Sequence, residues 1–353
     1  MRVVLFGIVL QHALSLRLCM RTASTPKTTR EFFQREVART AFQAAVLTAA
    51  VALPSSQAAQ ARVYFDTDVY GDKELKIATV NKIKQKLRNA ILEDAELAPQ
   101  LLQLSLSDAL GFQSSNQEGG PDGSIQFKIG DGKGVGLEKG IAALMKIKKE
   151  LQRTNTVAFA DLCAFGGAEA LETAGCGRMI VQVGRFDAKA AGTAVPPELS
   201  IDWRAPDANI LRTRFENSGL DARDLAVLIG SLGEVKRVVA ETLEAKANEG
   251  SNEDEDDAEF EAQPFVPTTF GSREAMYGAK MGKGDFGVKY FKDLLSGKDK
   301  VGGVYAQLLL DDPKVKTFVQ KYANNEAAFL KDVPEVYLRL TLLGQTSTTR
   351  NAS

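Results

Sequence analysis

Histidine is nearly absent. The chain of 353 residues has one, His12, so from residue 13 onward no imidazole can serve as a base, a proton shuttle or a metal ligand. Cysteine is scarce too, with three residues (Cys19, Cys163, Cys176). Two thiols in the main body do not make a disulfide scaffold. They are expected to pack as small apolar side chains, and their spacing does not say whether they pair. There is one tryptophan, Trp203. Net charge is −1, and no basic stripe marks a nucleic-acid partner. Beyond the N-terminal region no apolar run reaches the ~20 residues of a membrane-spanning helix, so no mature transmembrane segment is expected.

What is present is ordinary globular composition, 44% hydrophobic and 25% charged, ample for a real core. The first 61 residues stand apart, with seven Lys+Arg and two Asp+Glu, a net +5 that leaves about −6 for the remainder. They open with Arg2 and the apolar run VVLFGIVL, a short secretory-type segment. Residues 21–39 are rich in Thr and Arg and poor in acids, as in plastid transit peptides. A second apolar segment, AFQAAVLTAAVALP, leads to Ala59-Gln60-Ala61, an A-x-A cleavage pattern. Signals in series imply more than one membrane to cross. The layout of 1–61 resembles a thylakoid-lumen presequence, and the initial secretory-type segment suits a secondary plastid. A plain secretory protein with a pro-region is the alternative.

The mature chain is expected to begin near Arg62 and to be mostly α. Residues 62–75 look irregular. Val80, Ile83, Leu87, Ala90, Ile91 and Ala95 recur at helical spacing. The stretch LLQLSLSDALGFQSSNQEGGPDGSI, from Leu101, reads as a helix with Pro99 at its start and a Gly-rich turn at its end. Gln103, Leu106 and Ser107 share one face of that helix. Leu137–Gln152 reads as a helix with Ile141, Leu144, Met145 and Ile147 inward. In 158–174, Gly166, Gly167 and Ala168 would allow close helix approach. Residues 175–207 are loop-rich. Short helices follow over 208–217 and 221–232, then a long polar one that runs into the acidic stretch 249–261, a solvated insertion by composition. Helices over 286–295, 304–310 and 315–343 finish the domain, and 344–353 is a polar tail. KIGDGKGVG (128–136) is not a phosphate loop, because it lacks the GK[ST] ending.

The wording of these segments resembles the class I haem peroxidases, the ascorbate peroxidase group. That family's distal helix and turn read RLAWHSAGT and GGxNGSIRF. VAFADLCAFGGAEALETAG, GRFDA, the segment from Arg204 to Ala208, GLDARDLAVLIGSLG, FGVKYFKDLLSG and LLLDDPKVKTFVQKYANNEAAFLKD follow the family's order across residues 80–343. The resemblance implies a haem-peroxidase fold, a two-lobed helical bundle, for residues 62–343.

The reactive groups do not follow. Gln103, Leu106 and Ser107 stand where the family has its distal Arg, Trp and His. Leu232 stands at the proximal His, with Ser231, Gly233 and Glu234 beside it, and Ala306 at the proximal Asp. The proximal Trp segment aligns to 273–281, which has none. Asp122 and Gln126 replace the turn's Asn and Arg. Peroxidase chemistry needs an axial ligand on the iron, a base for the peroxide proton and a cation for the charge that develops as the O–O bond breaks. All three are missing, so no catalytic, cofactor-binding or metal-binding residue is expected. Met276, Met281, Tyr277 and Cys163 are the other conceivable ligands, and packing is their expected role.

Within the family the pattern is similar to the ascorbate-peroxidase-like group of the thylakoid lumen. That similarity implies a haem-free, inactive protein that works as an interaction or assembly factor, with photosystem II or other lumenal proteins as partners. Two alternatives stand beside it. One is a divergent haem peroxidase acting on hydrogen peroxide. The other is a small-molecule binder using the former haem cavity, which requires that cavity to be open rather than filled.

Overall fold

A computed structural model describes residues 73–129, 136–152, 157–192, 195–249, 280–281, 286–298 and 303–345. The presequence and the start near Arg62, the acidic stretch 249–261 but for its first residue, the positions of Met276 and Tyr277, and the tail from 346 lie outside them. Among the described residues there is no strand, only an isolated bridge between Gln113 and Glu118. The ten α-helices among the described residues are α1 (Lys73–Glu93), α2 (Leu97–Ala109), α3 (Glu138–Leu151), α4 (Phe159–Ala174), α5 (Ala208–Asn217), α6 (Ala222–Glu249), α7 (Lys289–Leu295), α8 (Gly303–Leu310), α9 (Pro313–Asn324) and α10 (Glu326–Thr341). The mostly α expectation holds. None of these helices is long and apolar enough to cross a membrane.

α4 lies at the centre of the first half. Every residue in it except Glu172 is buried, which follows from its nearly unbroken apolar and small composition. It packs against α1, α2, α3 and α6. Gly167 permits the closest approach. A Cβ there would lie 2.3 Å from the Tyr337 hydroxyl and 2.8 Å from Cβ of Ser105. That hydroxyl donates to the Ala164 carbonyl (2.6 Å) and receives Ser105 Oγ at 3.0 Å, so α2, α4 and α10 meet at one point. Gly167→Ala is expected to cost about 1–3 kcal/mol by overpacking, after allowing for the ~1 kcal/mol by which Ala is the better helix former. Urea unfolding measures it. α1 is held to α4 by charge: Lys84 and Arg88 pair with Glu169 and Glu172 at 2.8–3.0 Å.

α6 organises the second half, packing against α7, α8, α9 and α10 and also against α2 and α4. The sequence suggests a break near Leu232, but the helix is continuous from Ala222 to Glu249. Gly230 and Gly233 flank that point and do not end the helix. A Cβ at Gly230 would sit 2.1 Å from the Phe291 ring, and one at Gly233 would sit 2.2 Å from the Tyr290 ring. The glycines let two α7 aromatics lie flat on α6, and that burial outweighs their poor helix propensity.

Four smaller expectations are adjusted. α1 begins at Lys73, within the stretch read as irregular. Pro99 is the third residue of α2, still in the first turn where its missing N–H is harmless. Met145 points outward, 40% exposed; the apolar stripe of α3 is satisfied by Ile141, Leu144 and Ile147 alone. Asn325 divides 315–343 in two, its side chain capping the Ala328 N–H at 3.0 Å. Cys163 and Cys176 are both free and buried, and burial pushes the Cys176 thiol up to about 12.

Candidate functional site

α2 carries Gln103, Leu106 and Ser107, and the pattern of the sequence buries all three. Across from α2 runs α6 with Leu232, which has no exposed surface. The two helices pack against each other. α8 packs against α6, with Tyr305 buried and Ala306 packed at the edge of the core.

Tyr305 links the two helices. Its hydroxyl accepts from Gln103 Nε2 (3.3 Å) and from Lys236 Nζ (3.0 Å). The Lys236 ammonium also lies 4.6 Å from the centre of the Tyr305 ring, a cation–π contact. Lys236 is one helical turn beyond Leu232, on the same face of α6. Ser107 is engaged as well, its hydroxyl accepting the indole N–H of Trp203 in a short hydrogen bond. Each polar side chain at the three α2 positions thus has a partner within the protein, and Leu106 and Leu232 are core.

These side chains do not fit a haem. Leucine offers no lone pair to iron, and two of the neighbours of Leu232 are engaged elsewhere. Gly233 lies under the Tyr290 ring. Glu234 accepts from the N–H of Gly287 and of Tyr290, each at 2.9 Å, and pairs with Arg237 at 2.6 Å. Ser231 is buried. Of the other conceivable ligands within the described residues, Met281 and Cys163 are both core. No group of three or more His, Cys, Asp or Glu among the described residues could hold a metal. Asp122 and Gln126 serve the turn: Asp122 Oδ1 accepts the Ser124 N–H, and the Gln126 amide donates to the Gly123 carbonyl.

A small crevice opens beside α2, lined by Ser107, Asp108, Gly120, Ser124 and Val195 among others. Its volume is about 20 Å³, room for about one water. Asp108 faces it. Burial, with the negative charge of Asp122 nearby, pushes the Asp108 carboxyl up to about 8. One layer deeper, Asp161 and Arg185 form a fully buried pair at 3.0 Å. Arg185 also donates to the carbonyls of Gln182 and Thr341.

Sequence reasoning does not bring forward Tyr305, Lys236, Trp203 or Asp108 as members of this region. Tyr305 sits in an apolar segment and reads as core. Its position directly before Ala306 is the one signal that could have marked it.

The family profile described as "Peroxidase" matches residues 83–325. L-ascorbate peroxidase 1, cytosolic, from Oryza sativa subsp. japonica is 30% identical over 271 residues, 75% of this chain and 92% of the relative. Probable L-ascorbate peroxidase 8, chloroplastic, from the same source is 27% identical over 289 residues, 76% of this chain and 54% of that protein. Among solved structures, the TL29 protein from Arabidopsis thaliana aligns with 77% of this chain and 95% of its own, at 21% identity and a TM-score of 0.48.

Proposed function

This chain belongs to the peroxidase family, with ascorbate peroxidases among its relatives, and we propose that it is a member that has given up haem and catalysis to act through contacts with other proteins. The observation that carries this reading is the Tyr305 bridge. Gln103 and Lys236, from the helices that carry the family's distal and proximal positions, converge on one phenolic oxygen. Leu232 and Trp203 complete a packed, internally satisfied arrangement. A haem placed there would displace those contacts and gain no axial bond in return. Nothing at these positions could take the peroxide proton, and the cation at hand, Lys236, is held against Tyr305. Fold ancestry does not carry activity once the groups that perform it are gone.

The place of action is proposed to be the thylakoid lumen of a plastid, with photosystem II as the expected partner. This rests on the serial signals in residues 1–61 and on the similarity to the lumenal group. The existence of chloroplastic relatives is compatible with it.

The test is a haem titration of the full chain followed by absorption spectroscopy after desalting. The expected result is no Soret band that saturates at one equivalent. A sharp, stoichiometric band that survives desalting overturns the haem-free reading and would lead to a search for peroxide turnover. The partner is tested by co-isolation from lumen and photosystem II membranes.

A further inference from the structure

The Gly-rich turn that follows α2 is fastened by carboxylates. The Gly123 N–H donates to Asp108 Oδ2 at 2.9 Å, and the next amide, Ser124 N–H, donates to Asp122 Oδ1 at 3.0 Å. Gly123 has φ +70°, and a Cβ on it would lie 3.3 Å from Asp187 Oδ1 and 3.0 Å from the Ala160 nitrogen. Three carboxyl groups therefore surround one glycine. Asp187 is paired, with Lys148 on one oxygen and the Ala160 N–H on the other. Asp108 differs. It is 3% exposed, and its second oxygen, Oδ1, has no hydrogen-bond partner in the protein.

We infer that the Asp108 carboxyl is a proton-operated latch on the turn 119–125: protonated, it seats the turn against the end of α2, and ionised, it drives the turn to open. The geometry supplies the reason. An ionised Asp108 would be a buried anion beside Asp122, with one oxygen unsolvated. A protonated one presents a neutral O–H to the crevice, where a single water can accept it and exchange with solvent. The surrounding charges do not offset the anion. Arg185 is the cation that favours ionisation, and it is already shared among Asp161 and two carbonyls. Lys148 is spent on Asp187. Cys163, from α4, is buried and neutral, its thiol pushed well up by burial with Asp108 contributing. The Gly123 N–H, bonded to Oδ2, and the nearby Ile125 N–H, which falls short of hydrogen-bond geometry on either oxygen, pull the other way, favouring the anion, but less than burial opposes it.

The sign follows. The folded-state value is raised from 3.8 to about 8, so between those limits the folded turn holds a proton that the opened turn releases. Its stability is full at the acid end and is lost as pH rises through about 8, the reverse of an ordinary structural aspartate.

Two measurements on the full chain test this. The first is a carbon-13 NMR titration of the Asp108 carboxyl in the wild type, which requires no variant to fold. A midpoint at or above pH 7 supports the latch, and a lower one overturns it. The second is amide hydrogen exchange at Gly123 and Ser124, corrected for intrinsic rates, from pH 6 to pH 9. Protection should fall at least tenfold in the wild type and stay flat in Asp108→Asn, whose amide oxygen still accepts the Gly123 N–H. An equal fall in both proteins overturns it.

Discussion

Arg185→Met is expected to cost about 3–5 kcal/mol of folding stability, because it removes one partner of a buried ion pair and leaves the other. Asp161 has no exposed side-chain surface and accepts from the N–H of Gly184 (3.0 Å) and of Arg185 (3.2 Å) as well as from the guanidinium. The variant would also take a donor from the carbonyls of Gln182 and Thr341, both of which Arg185 now serves. Burial already pushes the Asp161 carboxyl up, with Arg185 the strongest influence pulling it down. Without the guanidinium it rises further and takes a proton in the folded state. An acid whose folded value lies above its unfolded one loses stability as pH increases. The variant's deficit should therefore be larger at pH 8 than at pH 5. Urea unfolding at the two values measures both the loss and its direction. A deficit that is the same at both would mean that Asp161 remains ionised.

The second large effect is at Glu234. Glu234→Ala is expected to cost about 3 kcal/mol or more, since each buried donor left without a partner costs ~1–3 kcal/mol. Two backbone N–H groups, of Gly287 and Tyr290, would be orphaned, and Arg237 would lose its pair with Glu234 while keeping the one with Glu241. The damage should concentrate where α7 begins, since those two amides fix the start of that helix against α6. Glu234→Gln, which keeps one acceptor oxygen, should lose less. Hydrogen exchange of residues 286–295 would separate the two outcomes: equal protection in Ala and Gln variants would mean that the carboxylate does not anchor α7. Glu234 lies two residues after Leu232 on α6, and its role here is structural.

Much of the fold was legible. Apolar periodicity placed α2, α3, α4 and α5 within a few residues of their true ends, because a helix must put one face into a core and the 3.6-residue repeat records that face. The close approach at Gly166–Ala168 was readable from side-chain size alone. The continuity of α6 was not. Gly230 and Gly233 look like breakers until Phe291 and Tyr290, about sixty residues away, are laid upon them. Met145 fits the apolar stripe of α3 by spacing, and only the placement of the neighbouring helices leaves it in water.

The same division applies to the site. Which groups are missing, on the proposed reading, was determined by the sequence by itself: His12 is the one histidine, and the resemblance to the family puts Leu232 at the proximal position and Gln103, Leu106 and Ser107 at the distal ones, side chains that cannot supply the ligand, base and cation of haem chemistry. What stands in their place was decided by the tertiary structure. Gln103 and Tyr305 are 202 residues apart, Lys236 and Tyr305 are 69 apart, and Ser107 and Trp203 are 96 apart. No local period couples such positions. Hydrogen bonds between them exist only once α2, α6, α8 and the loop that carries Trp203 have packed, since it is that packing which removes water and makes a buried polar group seek the partner within reach.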